Sequence, residues 1–535
     1  MAYRILVPGL SDTEQDTLSE LVAQLQEKTP RNLLRAAYYD GKHAHRDLGI
    51  STPPQMRRLC AVLGWSAKSV DVLNRRCHLD GFVIPGVESS SVGLDGLWDD
   101  NWLALEAPQA GVSSLIHATS FLVATQGGED EPEVLITAKD AMSGTGRWNR
   151  RKRALDAFMS VIDVDKKGIP TEVVLYLPGL NIRMARDKKW SVVDRTEHAY
   201  GVPVEALTYR ARLGRPFGAS RISRAVMSLH DSAVRTVIRS EVTAEIYSVP
   251  QRVMLGADAS IFQNADGTQG SGWQSVLATI WGIPDDEEAA VPRADIKEFS
   301  SAPQDPHVAQ LRAWAQLFSG ETSIPVTSLG LGGEANPTSA EAYHASREDL
   351  ISEAEGTTDG WSPAWRRTML RGLAMLNGWD EDEIPAEVLE LQPRWRSPAN
   401  LSRASAADAA VKTISQFPWL ADSELGLEIY GFDDDFIARA MAERRRVGGS
   451  AALDAIRQAV EANRPVVTGE TDPAQVGMSA REIREKADAM GVLIRAGVST
   501  ESAAEQVGLT GVRFTGAVPV SLRLPESDAN KLEGQ

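Results

Sequence analysis

A long amphipathic pattern between Ser220 and Tyr247 constrains the fold of this chain more than any other feature. At about 1.5 Å of rise per residue, a helix over this stretch is ~40 Å long. Pro250 follows it, and the next segment, QRVMLG, is typical of a β-strand. The apolar residues recur at spacings of three and four, as on one face of an α-helix: Ile222, Val226, Leu229, Ala233, Val237 and Ile246.

The sequence after this helix predicts a small insert and then a return to helix. Residues 257–301 are rich in Gly, Asp and Glu, and His307–Phe318 again has helical spacing. A Gly-rich segment, LGLGGEANP, then leads to a capping box at Thr338, which predicts the start of another helix. That helix is expected to run to Asn377 with a break across Gly356–Pro363. Two helices therefore flank an insert, and a third follows a loop.

The N-terminal part predicts an α+β platform. Ser11 and Glu14 have capping-box spacing at the start of a helix expected over Asp12–Ala37, which Pro30 should end or break. From Glu133 onward the apolar period changes to two, and the predicted fold class is α+β with a mainly antiparallel sheet. The strands expected there are Glu133–Ala138, Asp156–Val164, Thr171–Leu177, Ile182–Arg186, Trp190–Asp194 and Val204–Arg210.

The composition limits the classes of function. A formal net charge of −17 argues against a broad, tight DNA-binding surface, because affinity for phosphates comes from clustered Lys and Arg. It is compatible with DNA that passes by without adhering. The two cysteines, Cys60 and Cys77, are too few for a disulfide framework and are expected to be reduced and buried. No apolar run of about 18 residues and no signal peptide occur, so we expect no membrane contact and synthesis in a cytoplasm.

The motifs of common enzyme classes are missing from the sequence. It has no GxxxxGK[ST] phosphate loop, no HExxH, no GxSxG, no strand-preceded GxGxxG and no paired CxxC. His43 and His45 lie close together, but they lack a third ligand and are interpreted as solvated loop histidines. We therefore predict a chain that is not an enzyme and has no cofactor and no metal.

Two segments carry weaker nucleic-acid signals. The basic run Arg147–Arg153 could form a phosphate-binding patch, but a solvated hairpin tip or a contact with an acidic neighbouring subunit is favoured. Residues Ile483–Leu509 are similar to a helix-turn-helix with a turn near Gly497. Its second helix carries Glu501 and Glu505, where a DNA reader would have Arg or Asn. The alternative function, a DNA-binding regulator using residues 483–509, rests on this pair.

An ordered series of segments resembles the portal (connector) proteins of long-tailed double-stranded DNA bacteriophages. It includes YYDGKHAHRDLGISTPPQMRRLCAVLGW, GASRISRAVMSLHDSAVRTVIRSEVTAEIYSVPQRVMLG, SGETSIPVTSLG, NPTSAEAYHASREDLISEAE and GVLIRAGVSTESAAEQVGL. The resemblance extends over nearly the whole chain and rests on the order of these segments rather than on one motif. It implies a ring, expected as a dodecamer, at one vertex of a capsid.

The resemblance also implies a division of the chain into portal domains. The interruption expected in the tunnel helix departs from the family pattern. The implied domains are a wing over 1–217, stem helices over 218–249 and 304–325, a clip over 250–303, a tunnel loop over 326–337, a tunnel helix over 338–378, a crown over 379–464 and a C-terminal extension over 465–535.

By the same resemblance, the chain would form a DNA channel for genome packaging, head–tail joining and DNA ejection. It would be located in the virion after assembly in a host cytoplasm. Its partners would be other copies of itself, a terminase motor ATPase, a head–tail adaptor, the major capsid and scaffold proteins, and double-stranded DNA that passes non-specifically. The channel residues expected in the tunnel loop are Leu329, Leu331, Gly332, Gly333, Glu334 and Asn336, and the clip contacts are Asp285, Asp286, Glu287 and Glu288.

Overall fold

The computed structural model describes most of the chain up to residue 446. The described residues are 3–43, 61–247, 251–255, 280–283, 295–299, 303–330, 347–399, 403–432 and 436–446. They fall in two units, Met1–Ser402 and Arg403–Gln535. The predicted crown, 379–464, spans this division. The helix expected over residues 451–462 and the predicted pair at 483–509 lie outside the described residues.

Helices occur in both units. The first unit contains α1 (Asp12–Tyr39), α2 (Trp65–Asn74), α3 (Leu94–Asp100), α4 (Leu103–His117), α5 (Arg224–Tyr247), α6 (Asp305–Thr322) and α7 (Glu348–Asn377). The second contains α8 (Arg403–Gln416) and α9 (Glu424–Ile429), and residues 436–446 are also helical. The single-turn 3₁₀ helices are Ser89–Val92, Val326–Leu329, Val388–Glu390 and Pro418–Asp422.

The strands form mainly antiparallel sheets, which confirms the α+β prediction. The strands are β1 (Leu79–Val83), β2 (Thr119–Gln126), β3 (Val134–Asp140), β4 (Gly144–Asn149), β5 (Ala154–Val164), β6 (Pro170–Leu177), β7 (Leu180–Arg186), β8 (Trp190–Glu197), β9 (Val204–Thr208), β10 (Gln251–Leu255), β11 (Ile280–Ile283), β12 (Asp295–Phe299) and β13 (Gln392–Trp395). One sheet has the order β4-β5-β6-β7-β8, a second β3-β2-β9, a third β11-β10-β12, and β1 pairs with β13.

Helix α1 covers one face of the five-stranded sheet. Leu18, Leu21, Val22 and Leu25 fall on one side of the helix because their spacing matches the helical repeat, and all four are buried. They pack on side chains that alternate along the strands and so share one face of the sheet: Ala157, Met159, Val173, Leu175, Ile182 and Met184. The predicted capping box is confirmed, since Glu14 N donates to Ser11 Oγ and Ser11 N donates to Glu14 Oε2.

The expectation that Pro30 ends this helix is wrong. Helix α1 continues through Pro30 to Tyr39. An internal proline removes one backbone hydrogen bond and costs about 3 kcal/mol. Burial on both sides of it offsets that cost: Leu25 lies in the sheet-facing core, and Tyr38 lies in the main core of the unit. Tertiary packing therefore overrides the local signal.

Helices α5 and α6 pack against each other as an antiparallel pair, which confirms the two predicted helices around an insert. Trp314 Nε1 donates to Thr236 Oγ1 at 3.1 Å, and His307 Nε2 lies 3.2 Å from Thr243 Oγ1. These contacts run in opposite directions along the two helices. Strands β10, β11 and β12 of the insert lie between them in sequence, and β10 pairs parallel with β11 and antiparallel with β12.

The break expected across Gly356–Pro363 is also wrong. Helix α7 is continuous from Glu348 to Asn377 with Pro363 inside it. Trp361 and Trp365 flank the proline and are 2% and 1% exposed, so their burial stabilises the helix on both sides. The predicted start at Thr338 lies outside the described residues. Residues Glu348–Asn377 therefore form one helix rather than two.

Candidate functional site

Of the predicted channel and clip residues, only Leu329 lies within the described structure. It ends the 3₁₀ helix Val326–Leu329 and packs in the main hydrophobic core, with 7% of its surface exposed. Leu329 therefore anchors the start of the following segment in the core. The remaining predicted positions lie outside the described residues: Leu331, Gly332, Gly333, Glu334 and Asn336 of the loop, and Asp285, Asp286, Glu287 and Glu288 of the insert.

Arg221, a buried arginine just before α5, connects α2 with the end of α6, close to the start of that loop. Arg221 donates through Nε to Ser69 O at 2.5 Å and through Nη2 to Thr322 O at 2.6 Å. Ser69 belongs to α2, and Thr322 is the last residue of α6. Its Nη1 also donates to Tyr209 Oη at 3.0 Å. One guanidinium thus ties the bases of both helices to the rest of the unit.

The charge of Arg221 is balanced by Glu353 of α7. The distance between Arg221 Nη1 and Glu353 Oε1 is 2.6 Å, and the Arg221 side chain is 3% exposed. Tyr209 Oη and Arg210 Nη2 donate to the same carboxylate oxygen. Burial alone would raise the pKa of Glu353, but the charge and hydrogen bond of Arg221 and the bond from Tyr209 outweigh it and hold that pKa below its ordinary value. Glu353 is therefore ionised at neutral pH.

These residues, which we name the Arg221 cluster, come together from five segments of the chain, Ser69 and Thr322 through their backbone carbonyls: Arg221, Glu353, Tyr209, Arg210, Ser69 and Thr322. The cluster contains no nucleophile that is hydrogen-bonded to a general base. Its geometry therefore supports a role in positioning helices rather than in catalysis. A buried ion pair that holds the start of α5, the end of α6 and the body of α7 fixes their relative placement. A displacement of one of these helices therefore acts on the others.

This cluster was not predicted from the sequence, although Arg221 lies in the segment GASRIS. The members are separated by as many as 284 positions, from Ser69 to Glu353. No spacing rule joins residues so far apart. The only sequence signal is one arginine in a segment of small and apolar residues just before a long helix, where a charge needs a partner if it is buried.

His43 packs against α1 and α5, which corrects its interpretation as a solvated loop histidine. The His43 ring stacks on Tyr38 with centroids 4.1 Å apart, and the His43 side chain is only 7% exposed. His43 Nε2 lies 3.6 Å from Asp231 Oδ1, and Tyr38 Oη donates to the same carboxylate at 2.9 Å. His43 is therefore a packed core residue and not a solvated loop histidine. His45 lies outside the described residues.

His230 should make stability depend on pH. It is fully buried, and its Nδ1 lies 2.8 Å from Ser66 Oγ. Burial, together with the nearby His43, lowers its pKa from 6.5 to about 4. As pH falls from 6.5 to 4, His230 binds a proton in the unfolded chain but not in the folded chain. The free energy of unfolding therefore decreases in this window, by about 3 kcal/mol in all.

The measurement compares the wild-type chain with His230→Gln by thermal unfolding between pH 7 and pH 4. At pH 7 the variant should be less stable, because it loses the packing of the ring and its contact with Ser66. The difference should shrink as pH falls, since only the wild type carries the histidine cost. A constant difference across the range would contradict the lowered pKa.

The basic run Arg147–Arg153 forms the end of the β4–β5 hairpin, which confirms the favoured hairpin interpretation. Residues 150–153 are the exposed turn between the strands. Arg147 is paired within the chain, with Glu20 at 3.0 Å and with Asp156 at 2.8 Å. The contact with a neighbouring subunit stays a prediction.

In the described part of the chain, no group of three or more His, Cys, Asp or Glu residues could hold a metal ion. Nor does any described helix have the length and hydropathy needed to cross a membrane. Cys77 is buried and free, and burial raises the pKa of its thiol to about 12, as predicted for a reduced core cysteine. Cys60 lies outside the described residues.

The family described as "Phage portal protein, SPP1 Gp6-like" matches residues 18–429, over most of the chain and across the whole Arg221 cluster. The chain belongs to this family. Two portal proteins illustrate the relationship. The "Portal protein" of Mycobacterium phage L5 is 26% identical over 421 residues, covering 76% of this chain and 84% of the relative. That of Mycobacterium phage D29 is 25% identical over 417 residues, with the same coverage.

Solved structures show weaker similarity to this portal family member. "Neck of native GTA particle computed with C12 symmetry" has 14% identity and a TM-score of 0.35, covering 75% of this chain and 99% of that one. "Neck of empty GTA particle computed with C6 symmetry" has 16% identity and the same TM-score, with coverages of 72% and 93%. At these scores the likeness adds nothing to the family assignment, which rests on sequence. The family is one of structural proteins, in keeping with the expected non-enzymatic role.

Proposed function

We propose that this portal family member assembles into a ring that forms the DNA channel at one capsid vertex, for genome packaging, head–tail joining and DNA ejection. The observation that carries the proposal is the Arg221 cluster, which braces the α5–α6 pair against α7. A channel that transmits force from a motor to DNA needs such a rigid connection between its helices. Family membership supplies the context, and the cluster supplies the mechanical reason.

An exposed apolar residue on α6 supports assembly of several copies. Leu317 is 55% exposed and lies on the opposite side of the helix from Ala315, which packs in the core. Apolar side chains on the outer face of a paired helix are stabilised when another copy covers them. A cyclic arrangement, expected as a dodecamer, covers them on every copy and leaves no open end. The ring would reside in the virion.

The domain division proposed for this ring follows the resemblance given above. The α5–α6 pair would be the stem, strands β10–β12 the clip, the segment after Leu329 the tunnel loop, and α7 the tunnel helix. The wing would be residues 1–217, the crown 379–464 and the extension 465–535.

The residues proposed to face DNA are those of the loop that begins at Leu329. They are Leu331, Gly332, Gly333, Glu334 and Asn336. Glycine in this segment lets the backbone move past DNA with little steric cost. A net charge of −17 suits a channel that guides DNA without holding it.

The partners proposed are a terminase motor ATPase, a head–tail adaptor, and the major capsid and scaffold proteins. The acidic run Asp285–Glu288 of the clip is the proposed contact with the motor and the adaptor. Assembly in a host cytoplasm precedes incorporation into the particle.

Deletion of residues 331–336 tests the proposed channel role. The variant replaces the wild-type chain in assembling particles, and nuclease-protected DNA is measured per particle. We expect rings and particles to form, because the Arg221 cluster and the exposed face of α6 are intact, while protected DNA falls sharply. Wild-type DNA content in particles that contain the variant would overturn the assignment of this loop. Deletion of Lys166 and Lys167 from the exposed β5–β6 turn, to which no partner contact is assigned, serves as the control.

The alternative, a DNA-binding regulator using residues 483–509, stays a prediction, since these residues lie outside both the described structure and the family match. A fragment starting after Pro465 would bind a specific DNA sequence on its own under that hypothesis. Failure of the fragment to shift any DNA in a mobility assay removes it.

A further inference from the structure

A basic cavity lies between α1, the start of β2 and the loop before α5. Its volume is about 190 Å³, several times the ~30 Å³ that one water occupies in the liquid. Four cationic side chains line it: Lys28, Arg31, Arg35 and Arg215. Such a concentration of positive charge is unexpected in a chain of net charge −17. It is also separate from the hairpin run Arg147–Arg153 that the sequence singled out.

The cavity holds more positive charge than its surroundings balance. None of the four cations forms an ion pair with a carboxylate among the described residues. Burial and the neighbouring Arg31 lower the pKa of Lys28 to about 8, against a smaller opposite effect of Glu27. Burial, Arg31 and Arg215 likewise lower the pKa of Arg35 to about 10. Like charges therefore repel one another across this space, which destabilises the chain unless an anion enters.

Polar atoms without partners line the same cavity. Thr145 Oγ1, His117 Nδ1 and Asn32 Oδ1 are buried and have no hydrogen-bond partner within the described part of the chain. The residues are 2%, 8% and 1% exposed, respectively. Buried polar atoms are normally hydrogen-bonded, and all three belong to residues that line the cavity, so side-chain rotation towards a bound ligand would give them partners. These atoms provide an observation independent of the four charges.

The orientation of Asn32 adds chemical detail. Its Nδ2 donates to Ala141 O at 3.1 Å, which fixes the amide so that Oδ1 is the free atom. The Thr145 hydroxyl can donate to an oxyanion, and the His117 ring nitrogen can donate in one of its tautomers. Asn32 Oδ1 can only accept, so it suits a ligand that carries a proton on one oxygen. Hydrogen phosphate has both acceptor oxygens and such a proton.

We propose that this cavity binds a phosphate group that can carry a proton, as free inorganic phosphate or as the terminal phosphate of a nucleic-acid strand. Arg31 and Arg215 at the exposed rim bind its oxygens by charge-assisted hydrogen bonds. Lys28 and Arg35, which are half-buried, balance its remaining charge, and Thr145 donates from the floor. The site does not depend on the proposed channel, because all its residues come from one copy of the chain.

The test is titration calorimetry of the full-length chain with inorganic phosphate, at an ionic strength held constant with chloride. We expect saturable binding, and binding weaker by about tenfold in Arg31→Gln or Arg215→Gln, since each loses one charge-assisted bond. Thr145→Val should also weaken binding, provided that thermal unfolding shows it folded. Sulfate, which carries no proton near neutral pH, should bind less tightly than phosphate.

Arg212→Gln is the matched control, because Arg212 lies in the same loop as Arg215, is exposed and does not line the cavity. It should leave phosphate binding unchanged. Competition by a short DNA duplex with 5′-phosphate ends would identify a nucleic acid as the source of the phosphate, and lack of competition would identify the free ion. No saturable binding, equal affinity for sulfate, or equal loss in Arg212→Gln and Arg215→Gln would overturn the proposal.

Discussion

Replacing Arg221 with methionine should lower the free energy of unfolding of the first unit by about 3–5 kcal/mol, because it leaves the buried carboxylate of Glu353 without its main partner. Methionine keeps much of the side-chain volume, so the loss comes from charge and hydrogen bonds rather than from a cavity. Ser69 O and Thr322 O also lose their donor. The midpoint of urea or thermal unfolding, followed by tryptophan fluorescence, measures the effect.

Arg210→Met provides a control on the same carboxylate. Arg210 Nη2 lies 2.6 Å from Glu353 Oε1, the same distance as Arg221 Nη1, but its side chain is 56% exposed. An exposed pair of this kind contributes only about 0–1 kcal/mol. Equal effects of the two substitutions would contradict the account, since Arg221 differs from Arg210 in its burial and in its bonds to Ser69 O and Thr322 O. Combining Arg221→Met with Glu353→Gln should cost less than the sum of the two, because neither charge is then left alone.

Gly218→Ala should destabilise the chain by more than about 4 kcal/mol, among the largest effects of a single substitution. Gly218 has φ of +66°, a conformation that costs a residue with a Cβ about 1–2 kcal/mol. A Cβ there would lie 2.1 Å from Tyr209 O and 3.0 Å from Ala118 O. Both are backbone atoms, so relief requires the strand end and the loop to separate. Thermal unfolding of the purified variant measures the loss.

Gly214→Ala is the control for this prediction. Gly214 lies in the same loop, and a Cβ there meets nothing within 4 Å. We expect a change of no more than about 0.5 kcal/mol, as for most surface substitutions. The account of the loop is wrong if Gly218→Ala is tolerated as well as Gly214→Ala. Because Gly218 immediately precedes the approach to Arg221, both predictions concern how α5 is attached to the rest of the unit.

Periodic segments were predictable from the sequence. The alternation from Glu133 onward predicted six strands, and the helical spacing from Ser220 predicted α5. In β3, β7 and α5 the buried residues recur on one face, so local pattern and tertiary burial agree there. The capping box at Ser11 is a local signal of the same kind, since it needs only four neighbouring residues.

Elements whose stability comes from distant contacts were not predictable. Pro30 and Pro363 lie inside continuous helices because buried residues on both sides hold them. Strand β2 was missed because its first six residues, Thr119–Ala124, are all buried, so no alternation marks it as a strand. Strand β4, with Gly144 and Gly146, has a single β-branched residue, Thr145, and so gives only a weak strand signal.

Polar sites were the least predictable part. The Arg221 cluster and the basic cavity each join residues from separate elements, and neither has a characteristic spacing. His43 shows the same limit, because its neighbours in sequence suggest a solvated loop while its contacts are Tyr38 and Asp231. Sequence patterns predict which face of an element is buried, but only the fold determines which buried polar groups meet.

Electron microscopy of the purified full-length chain tests the central claim most directly. The claim is that copies of this chain surround a channel for DNA. The account predicts ring-shaped particles with a central hole wide enough for duplex DNA, expected as dodecamers, and loss of these rings when Leu317 on the exposed face of α6 is changed to glutamate. A chain that stays monomeric over a wide range of concentrations would contradict it.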